Sequence, residues 1–368
     1  MRSAARDNLP CVSGRSSAGV AAAVRTSILQ SKFPFGDFLP SVRQLAREHD
    51  VDMKTALRAM KVLETEGLVR AVRGQGFRVL ARACAPTQGA PVAYIGVGTP
   101  DGQFGSGASI QLAHALQQAA SRRGWCMMSV SDDVPRPQMI ATMRSHKVLG
   151  AVVNSFDGDL VAGLVKEGLP LVMVDSTIAN AEVDAVMQDG HMGGRLAAEF
   201  VLGRGRKRVA WLGNVEGGAH LSDRLGGAMA RLQEAGLAPK PGFIDAVALE
   251  RAEAVLRGWL SGKDRPDAVV APWTNYMLAA ARTCKSLGLK VGSDVDVVGW
   301  SNQELLEQDL SGSLSSEMVS ATITWSARAM AETALARLIQ RRESPDLPPV
   351  LIKVPTRLVP FVDVDGGR

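Results

Sequence analysis

The chain has 368 residues, of which 46% are hydrophobic and 21% are charged, a composition typical of folded globular proteins and not of disordered or fibrous ones. Its length allows two or three domains, and no apolar run approaches the roughly 18 residues that a membrane-spanning helix needs. The formal net charge is +5, but 14 Lys and Arg residues stand against 7 Asp and Glu up to Arg82, whereas the remainder carries 28 basic and 30 acidic residues. This asymmetry favours a polyanionic partner for the N-terminal part, the alternative being a solvated basic face.

The mixed polar and basic composition of residues 1–16 predicts a disordered N-terminal tail. The apolar stretch "AGVAAAV" that follows is too short for a signal peptide and is interrupted by Arg25, so we expect a cytoplasmic protein. The four cysteines are far apart and show no metal-binding spacing, which indicates reduced thiols, no metal site and no cofactor held by them.

Three helices and a hairpin are predicted over residues 17–81. The first helix covers residues 17–30, Ser41 is placed to cap a second helix in "SVRQLAREH", and Asp52 is placed to cap a third in "MKTALRAMKVLETEG" that ends at Gly67. The runs "LVRAV" and "FRVL" are β-prone and are joined by "RGQG". This order of elements predicts a winged helix-turn-helix domain.

The third helix has an apolar face and a separate basic face. Apolar and basic residues recur at helical spacing on different sides of it, namely Ala56, Met60 and Leu63 against Lys54, Arg58 and Lys61. Such a helix can enter the major groove of DNA while its charges contact phosphates. The tip of the hairpin, residues 73–76, is cationic and rich in glycine, so it can approach the duplex closely.

The stretch "FGDFLPSVRQLAREHDVDMKTALRAMKVLETEGLVRAVRGQGF" resembles the DNA-binding domain of the GntR family over residues 20–80. The family often has Ser-Arg where this chain has Asp52-Met53, and often Arg where it has Leu57, which predicts either an unusual operator or weakened DNA binding. The resemblance and the helix pattern together predict a set of DNA-contacting residues: Arg43, Lys54, Thr55, Arg58, Lys61, Arg73, Gln75 and Gly76.

The aperiodic stretch 82–91, "RACAPTQGAP", predicts a hinge linker, and residues 92–361 predict a second domain. In that domain short Val- and Ile-rich runs alternate with amphipathic helices, the pattern of parallel sheets with crossover helices. Polar and aromatic residues follow the strands, as in "VDST", "PWTN" and "WSN". Because ligands bind beyond the carboxyl ends of parallel strands, these residues predict a small-molecule cleft, with Trp273 and Trp300 able to stack on a flat ligand or a sugar. The alternative is that both are ordinary half-buried tryptophans.

The second domain resembles the effector domain of the LacI/GalR family, which is built like a periplasmic sugar-binding protein, through "VMVDS", "DGHMGGRLAAEFVLGRGRKRVAWLG" and "GLKVGSDVDVVGWSN". The resemblance implies two lobes around a cleft and dimerisation through this domain. Asp175 and Arg224 match positions that hold sugar hydroxyls, and charged hydrogen bonds suit such groups. The usual polar anchors are replaced by Trp273-Thr274 and by Ser301. Either the ligand is bulkier or more apolar than a common sugar, or the domain no longer senses a small molecule.

The chain carries no pattern typical of an enzyme: the histidines are scattered, and GxSxG, P-loop and HExxH motifs are missing. The predicted fold class is α/β, an N-terminal winged helix-turn-helix plus a two-lobed periplasmic-binding-protein-like domain with parallel sheets. The predicted function is a ligand-responsive transcriptional regulator, by default a repressor, that binds a pseudo-palindromic double-stranded DNA operator as a homodimer. The predicted effector is a small molecule such as a sugar or sugar derivative, contacted by Asp175, Arg224, Trp273, Trp300 and Ser301. The alternatives are a regulator that has lost small-molecule sensing and a solute-binding protein without DNA function.

Overall fold

The computed structural model describes residues 16–29, 33, 37–65, 69–72, 74–79, 81–82, 91–96, 107–131, 134–178, 181–309 and 315–362. The chain divides into two compact units. The first comprises Met1–Gly105, Leu116–Leu171 and Leu338–Leu347, and the second comprises Ser106–Ala115, Val172–Arg337 and Pro348–Arg368.

The first unit begins with a head of three helices and a hairpin. Its elements are α1 (Ser17–Leu29), α2 (Val42–Glu48), α3 (Met53–Thr65), β1 (Val69–Val72) and β2 (Gly76–Val79). Strands β1 and β2 are antiparallel, with Val69 opposite Val79 and Val72 opposite Gly76. The winged helix-turn-helix arrangement predicted from the sequence is therefore present.

Local sequence explains where the helices of the head begin. Ser41 and Gln44 form a reciprocal capping box at the start of α2, in which Gln44 Oε1 accepts from the Ser41 backbone N–H at 2.9 Å. Asp52 caps α3 by accepting from the Thr55 N–H at 2.8 Å. The helices and the hairpin close over one apolar core, made of Val20, Ala21, Val24, Ile28, Leu39, Leu45, Ala59, Met60, Leu63, Val69, Phe77 and Val79.

The α/β part of the chain continues with β3 (Ala81–Arg82), β4 (Pro91–Gly96), α4 (Gly107–Arg122), β5 (Cys126–Ser131), α5 (Arg136–Ser145), β6 (Ala151–Asn154) and α6 (Gly158–Lys166). Strand β4 lies between β5 and β6 and is parallel to both, and β3 is antiparallel to β5. Arg82 and Pro91, predicted to lie in the linker, belong instead to β3 and β4, because their backbone groups pair with β5. The rest of the predicted linker, residues 83–90, lies outside the described residues.

The chain from Leu171 onward, most of which belongs to the second unit, contains two sets of strands. Its elements are β7 (Leu171–Val174), β8 (Asp184–Gln188), α7 (Gly190–Gly203), β9 (Val209–Asn214), α8 (Gly218–Glu234), a 3-10 turn (Pro241–Phe243), β10 (Ile244–Val247), α9 (Leu249–Leu260), β11 (Ala268–Val270), α10 (Thr274–Ser286), β12 (Asp296–Asn302), α11 (Gln303–Asp309), β13 (Ala321–Trp325), α12 (Ala327–Glu343), β14 (Leu351–Val354) and β15 (Thr356–Pro360). Strands β7, β8 and β14 are parallel. A six-stranded sheet has the order β10-β9-β11-β12-β13-β15, and only its β13–β15 pair is antiparallel.

The six-stranded sheet is buried on both faces by helices, which explains the continuous apolar runs of β9, β11 and β12. The predicted fold class, a winged helix joined to an α/β domain with parallel sheets, is confirmed. Cys126 and Cys284 are buried thiols, and burial raises the pKa of Cys284 to about 11. Among the described residues, we find no helix with the length and apolar character needed to span a membrane.

Candidate functional site

The outer face of α3 carries the basic residues predicted to contact DNA. Lys54, Arg58 and Lys61 are all exposed, whereas Ala56 and Met60 on the opposite face are buried in the core of the head. The core therefore fixes the rotation of the helix, and the cationic side chains are held on its outward surface.

Two hydrogen bonds between Asp52 and Thr55 cap the N-terminus of α3. The two carboxylate oxygens of Asp52 accept from Thr55, Oδ1 from its N–H at 2.8 Å and Oδ2 from its hydroxyl at 2.9 Å. The hydrogen bond from the Thr55 N–H, followed by that from its hydroxyl, lowers the pKa of Asp52. The hydroxyl hydrogen of Thr55, one of the predicted DNA-contacting groups, is thus used within the helix cap.

The remaining predicted DNA residues lie on α2 and in the hairpin. Arg43 is exposed on the first turn of α2, and Gln75 and Gly76 are exposed at the hairpin tip. Gly74 and Gly76 adopt φ values of +77° and +112°, a region that favours glycine, so the thin tip depends on these two residues. Arg73 lies outside the described residues.

A second cluster of predicted residues is centred on Arg224 in the second unit. Its guanidinium lies over two indole rings, with Cζ 4.2 Å from the ring centroid of Trp300 and 4.7 Å from that of Trp273. Arg224 is only 4% exposed. Burial lowers its pKa to about 9, so the side chain remains protonated at neutral pH. Arg224 therefore covers one face of each indole ring.

Gln188 links the members of this cluster. Its Oε1 accepts from Trp300 Nε1 at 2.6 Å and from Arg224 Nη2 at 3.0 Å, and its Nε2 donates to Asp175 Oδ1 at 2.8 Å. The carbonyl of Pro272 accepts from Arg224 Nη1. The Nε of Arg224 is buried without a hydrogen-bond partner in the part of the chain that the structure describes.

Asp175 occupies an unusual backbone position directly after β7. Its φ is 48°, which is uncommon outside glycine although Asp tolerates it. The conformation is held by the Asp175 N–H, which donates to Val186 O at 2.9 Å, and by the Asp175 carbonyl, which accepts from His220 Nε2 at 2.9 Å. The Asp175 side chain is 19% exposed. Burial lowers the pKa of His220, and the nearby charge of Asp175 acts in the opposite direction.

Close contact between α7 and α8 positions Arg224. A Cβ added at Gly194 would lie 2.9 Å from the Ala228 N and would overlap the Arg224 carbonyl, and one added at Gly227 would overlap the His191 backbone. The two glycines therefore allow the helix backbones to touch. This contact sets the direction in which Arg224 leaves α8 toward Gln188, which precedes α7.

Four of the five predicted ligand residues are thus brought together: Asp175, Arg224, Trp273 and Trp300. Ser301 is buried on β12 next to Trp300, but successive strand residues point to opposite faces of a sheet. Gln188 was not predicted, and neither was the position of His220, a histidine of α8 that is buried beside Asp175. A polar residue at the carboxyl end of "DAVMQ" was the available signal for Gln188.

Two family models match parts of the chain. Residues 16–79 match the bacterial regulatory proteins of the GntR family, and residues 198–360 match the periplasmic binding protein-like domain. The chain thus combines a GntR-family head with a periplasmic-binding-protein-like domain, as the sequence motifs indicated.

Known regulators are similar to about half of the chain. The HTH-type transcriptional repressor PurR of Aliivibrio salmonicida is 24% identical over 203 residues, 53% of this chain and 61% of that protein. The chain thus spans about three fifths of the length of such curated relatives.

The fold is shared with solved LacI-type regulators. A regulatory protein of the LacI family from Chloroflexus aggregans has a TM-score of 0.61 at 21% identity, covering 72% of this chain and 96% of that one. The transcriptional regulator CelR in complex with cellobiose has a TM-score of 0.62 at 18% identity, covering 87% and 98%. At these identities the likeness concerns the fold.

Proposed function

We propose that this protein is a ligand-responsive transcriptional regulator that binds operator DNA through its head and an effector through its second unit. The observation that carries the proposal is the presence, in one chain, of a GntR-family head and a periplasmic-binding-protein-like domain. The relatives named as repressors support repression relieved by the effector as the mode of action. We place the protein in the cytoplasm, where its operator would be, and propose no enzymatic step.

DNA binding is assigned to the exposed basic face of α3 with Arg43 and the hairpin tip. Lys54, Arg58 and Lys61 recur on one side of a helix whose other side is buried, the arrangement by which a helix enters the major groove while its cations neutralise phosphates. A homodimer would present two such heads to the two half-sites of a pseudo-palindromic operator.

Effector binding is assigned to the cluster around Arg224, with Asp175 as the direct contact. Asp175 is the cluster's partly exposed carboxylate, and its left-handed backbone is the kind of strain that collects at binding sites. A carboxylate accepts hydrogen bonds from hydroxyl or amino groups, so the effector class is a molecule rich in such donors, such as a sugar derivative. The solved regulator CelR, which has the same fold, is in complex with cellobiose.

In this proposal the stack of Trp273, Arg224 and Trp300 acts as a support. Gln188 bridges the stack to Asp175, so a ligand that moves Asp175 also disturbs the Gln188 contacts with Arg224 and Trp300. By linkage, an effector that weakens DNA binding must itself bind less tightly to the DNA-bound protein.

A second candidate is a regulator whose second unit senses no small molecule. The observation that favours it is the burial of Arg224, whose contacts with both indoles and with Gln188 are made by the protein itself. A ligand could reach the covered ring faces only if Arg224 moved.

DNA binding can be tested by selecting duplexes from fragmented genomic DNA with the purified full-length protein and measuring affinity for the enriched sequence. Arg58→Ala should weaken binding at least tenfold. Arg251→Ala is the matched control, since Arg251 is an exposed arginine on α9 of the second unit. The absence of any enriched palindrome, or an equal effect of the two substitutions, would contradict the proposal.

The effector assignment is tested by Asp175→Asn, which keeps the acceptor for Gln188 and removes the charge. Cellobiose and a cell extract freed of macromolecules serve as probes for release of the enriched DNA. We expect the variant to bind DNA normally and to lose the response, whereas Asp264→Asn, an exposed control, responds as the wild type does. If no probe releases DNA from the wild type, the second candidate is supported.

A further inference from the structure

The first turns of α3 expose two large apolar side chains. Met53 is 57% exposed and Leu57 is 40% exposed, although the same helix buries Met60 and Leu63 completely. Large apolar groups on a surface are informative when they are grouped and lie beside a functional face. These two lie beside the basic face already assigned to DNA.

The helical period places Met53 and Leu57 in one stripe. Residues four apart differ by about 40° around the helix axis, so the two side chains are neighbours on successive turns. Lys61, Lys54 and Arg58 follow next around the exposed surface, at roughly 80° to 140° from Met53. The exposed face of α3 is thus apolar along one edge and cationic along its middle.

We propose that Met53 and Leu57 select thymine in the operator by contacting its C5-methyl group in the major groove, an inference that rests on the proposed DNA-binding function. Thymine is the one standard base that presents a methyl group there. The neighbouring cations provide the charge complementarity that brings this edge against a duplex, where phosphates flank the groove. The flexible thioether of Met53 and the branched end of Leu57 can each cover a methyl group.

The helix cap strengthens this assignment. Asp52 and Thr55 bond to each other, so the Thr55 hydroxyl donates within the head. On the first two turns of α3 this leaves Lys54 and Arg58 as the cationic groups, with Met53 and Leu57 beside them. The cations contact phosphates and guanine, and the apolar pair adds the recognition of thymine.

The experiment uses the full-length protein and two randomised duplex libraries, one made with thymine and one with uracil, which lacks the methyl group and keeps the same hydrogen-bonding groups. Sequences enriched from the thymine library are then measured in both forms. Each contacted methyl group should contribute about fourfold in affinity, the equivalent of ~0.8 kcal/mol per buried carbon group, and two half-sites with one contact each should give about fifteenfold.

Four variants, one of them a control, separate the inference from the general DNA function. Leu57→Ala and Met53→Ala should each reduce the ratio of thymine to uracil affinity, whereas Lys54→Ala should weaken binding to both forms equally. Val62→Ala is the matched control, because Val62 is 41% exposed on the same helix but lies about 140° around the axis from Leu57. It should leave the ratio unchanged.

Equal affinity for the two forms would overturn the inference and leave the proposed DNA binding intact. Failure to enrich any sequence from the thymine library would overturn both. If Leu57→Ala instead changed the oligomeric state in sedimentation and kept the thymine preference, the apolar edge would be a contact between copies of this chain and the inference would be wrong.

Discussion

The packing of Trp300 against α7 depends on Gly193, and Gly193→Ala should disrupt it. A Cβ at position 193 would overlap Cη2 of Trp300 and would lie 2.9 Å from its Cζ2 and 3.0 Å from Cγ2 of Ile323. Trp300 is 3% exposed, so the ring has little free space into which it can move.

The magnitude follows from what Trp300 holds in place. Overpacking a core costs about 1–3 kcal/mol, and loss of the Trp300 hydrogen bond to Gln188 costs about 1 kcal/mol. A weakened cation–π contact with Arg224 costs roughly another 1 kcal/mol. Alanine stabilises a helix by ~1 kcal/mol relative to glycine, which offsets part of this loss. The net destabilisation is about 3 kcal/mol, which for a unit of this size lowers the Tm by roughly 6–12 °C.

The assay is urea unfolding followed by tryptophan fluorescence, with near-ultraviolet circular dichroism to monitor the packing of the indoles. Gly226→Ala is the matched control, because Gly226 lies on the neighbouring helix α8 and the nearest atom to its added Cβ is His191 Nδ1 at 3.9 Å. The control should be as stable as the wild type or slightly more stable. Wild-type stability of Gly193→Ala, or an equal loss in both variants, would refute the reasoning.

Three further predictions concern the head and the cluster. Ser41→Ala removes the capping box of α2 and should lower the unfolding free energy of the head by about 1 kcal/mol in urea titrations. The free energy of unfolding of the second unit should fall as the pH drops below 6.5, the ordinary pKa of histidine. Burial lowers the pKa of His220, so in this range the unfolded chain takes up a proton that the folded chain does not. His220→Gln should flatten this pH profile, and an unchanged profile in the variant would show that His220 does not cause the effect. The logarithm of the operator binding constant should fall linearly with the logarithm of salt concentration, and Arg58→Ala should reduce the magnitude of that slope by about 1 if Arg58 contacts a phosphate.

The head could be predicted from the sequence almost completely, because its signals are local. Ser41 and Asp52 cap helices within three residues of themselves, and the glycines of the hairpin tip meet a backbone requirement at their own positions. The strand at Ala81–Arg82 was missed, since a two-residue strand leaves no periodic pattern and forms only through its pairing with β5.

The α/β class was also predictable, since alternating apolar runs and amphipathic helices specify parallel strands with crossovers. The cluster around Arg224 was predictable only in part. Polar and aromatic residues after strands marked Asp175, Trp273 and Trp300, but nothing in the sequence indicated that Arg224 would lie over both indole rings.

The sequence by itself determined the helix caps, the wing, the basic face of α3 and the alternation of strands and helices, because each depends on residues a few positions apart. Only the tertiary structure decided the Arg224 stack and the roles of Gln188 and His220. Gln188 and Trp300 are 112 residues apart, and His220 and Asp175 are 45 apart. Their contacts arise from the order of strands in the sheets and from the glycine-lined contact of α7 with α8, which no local pattern encodes.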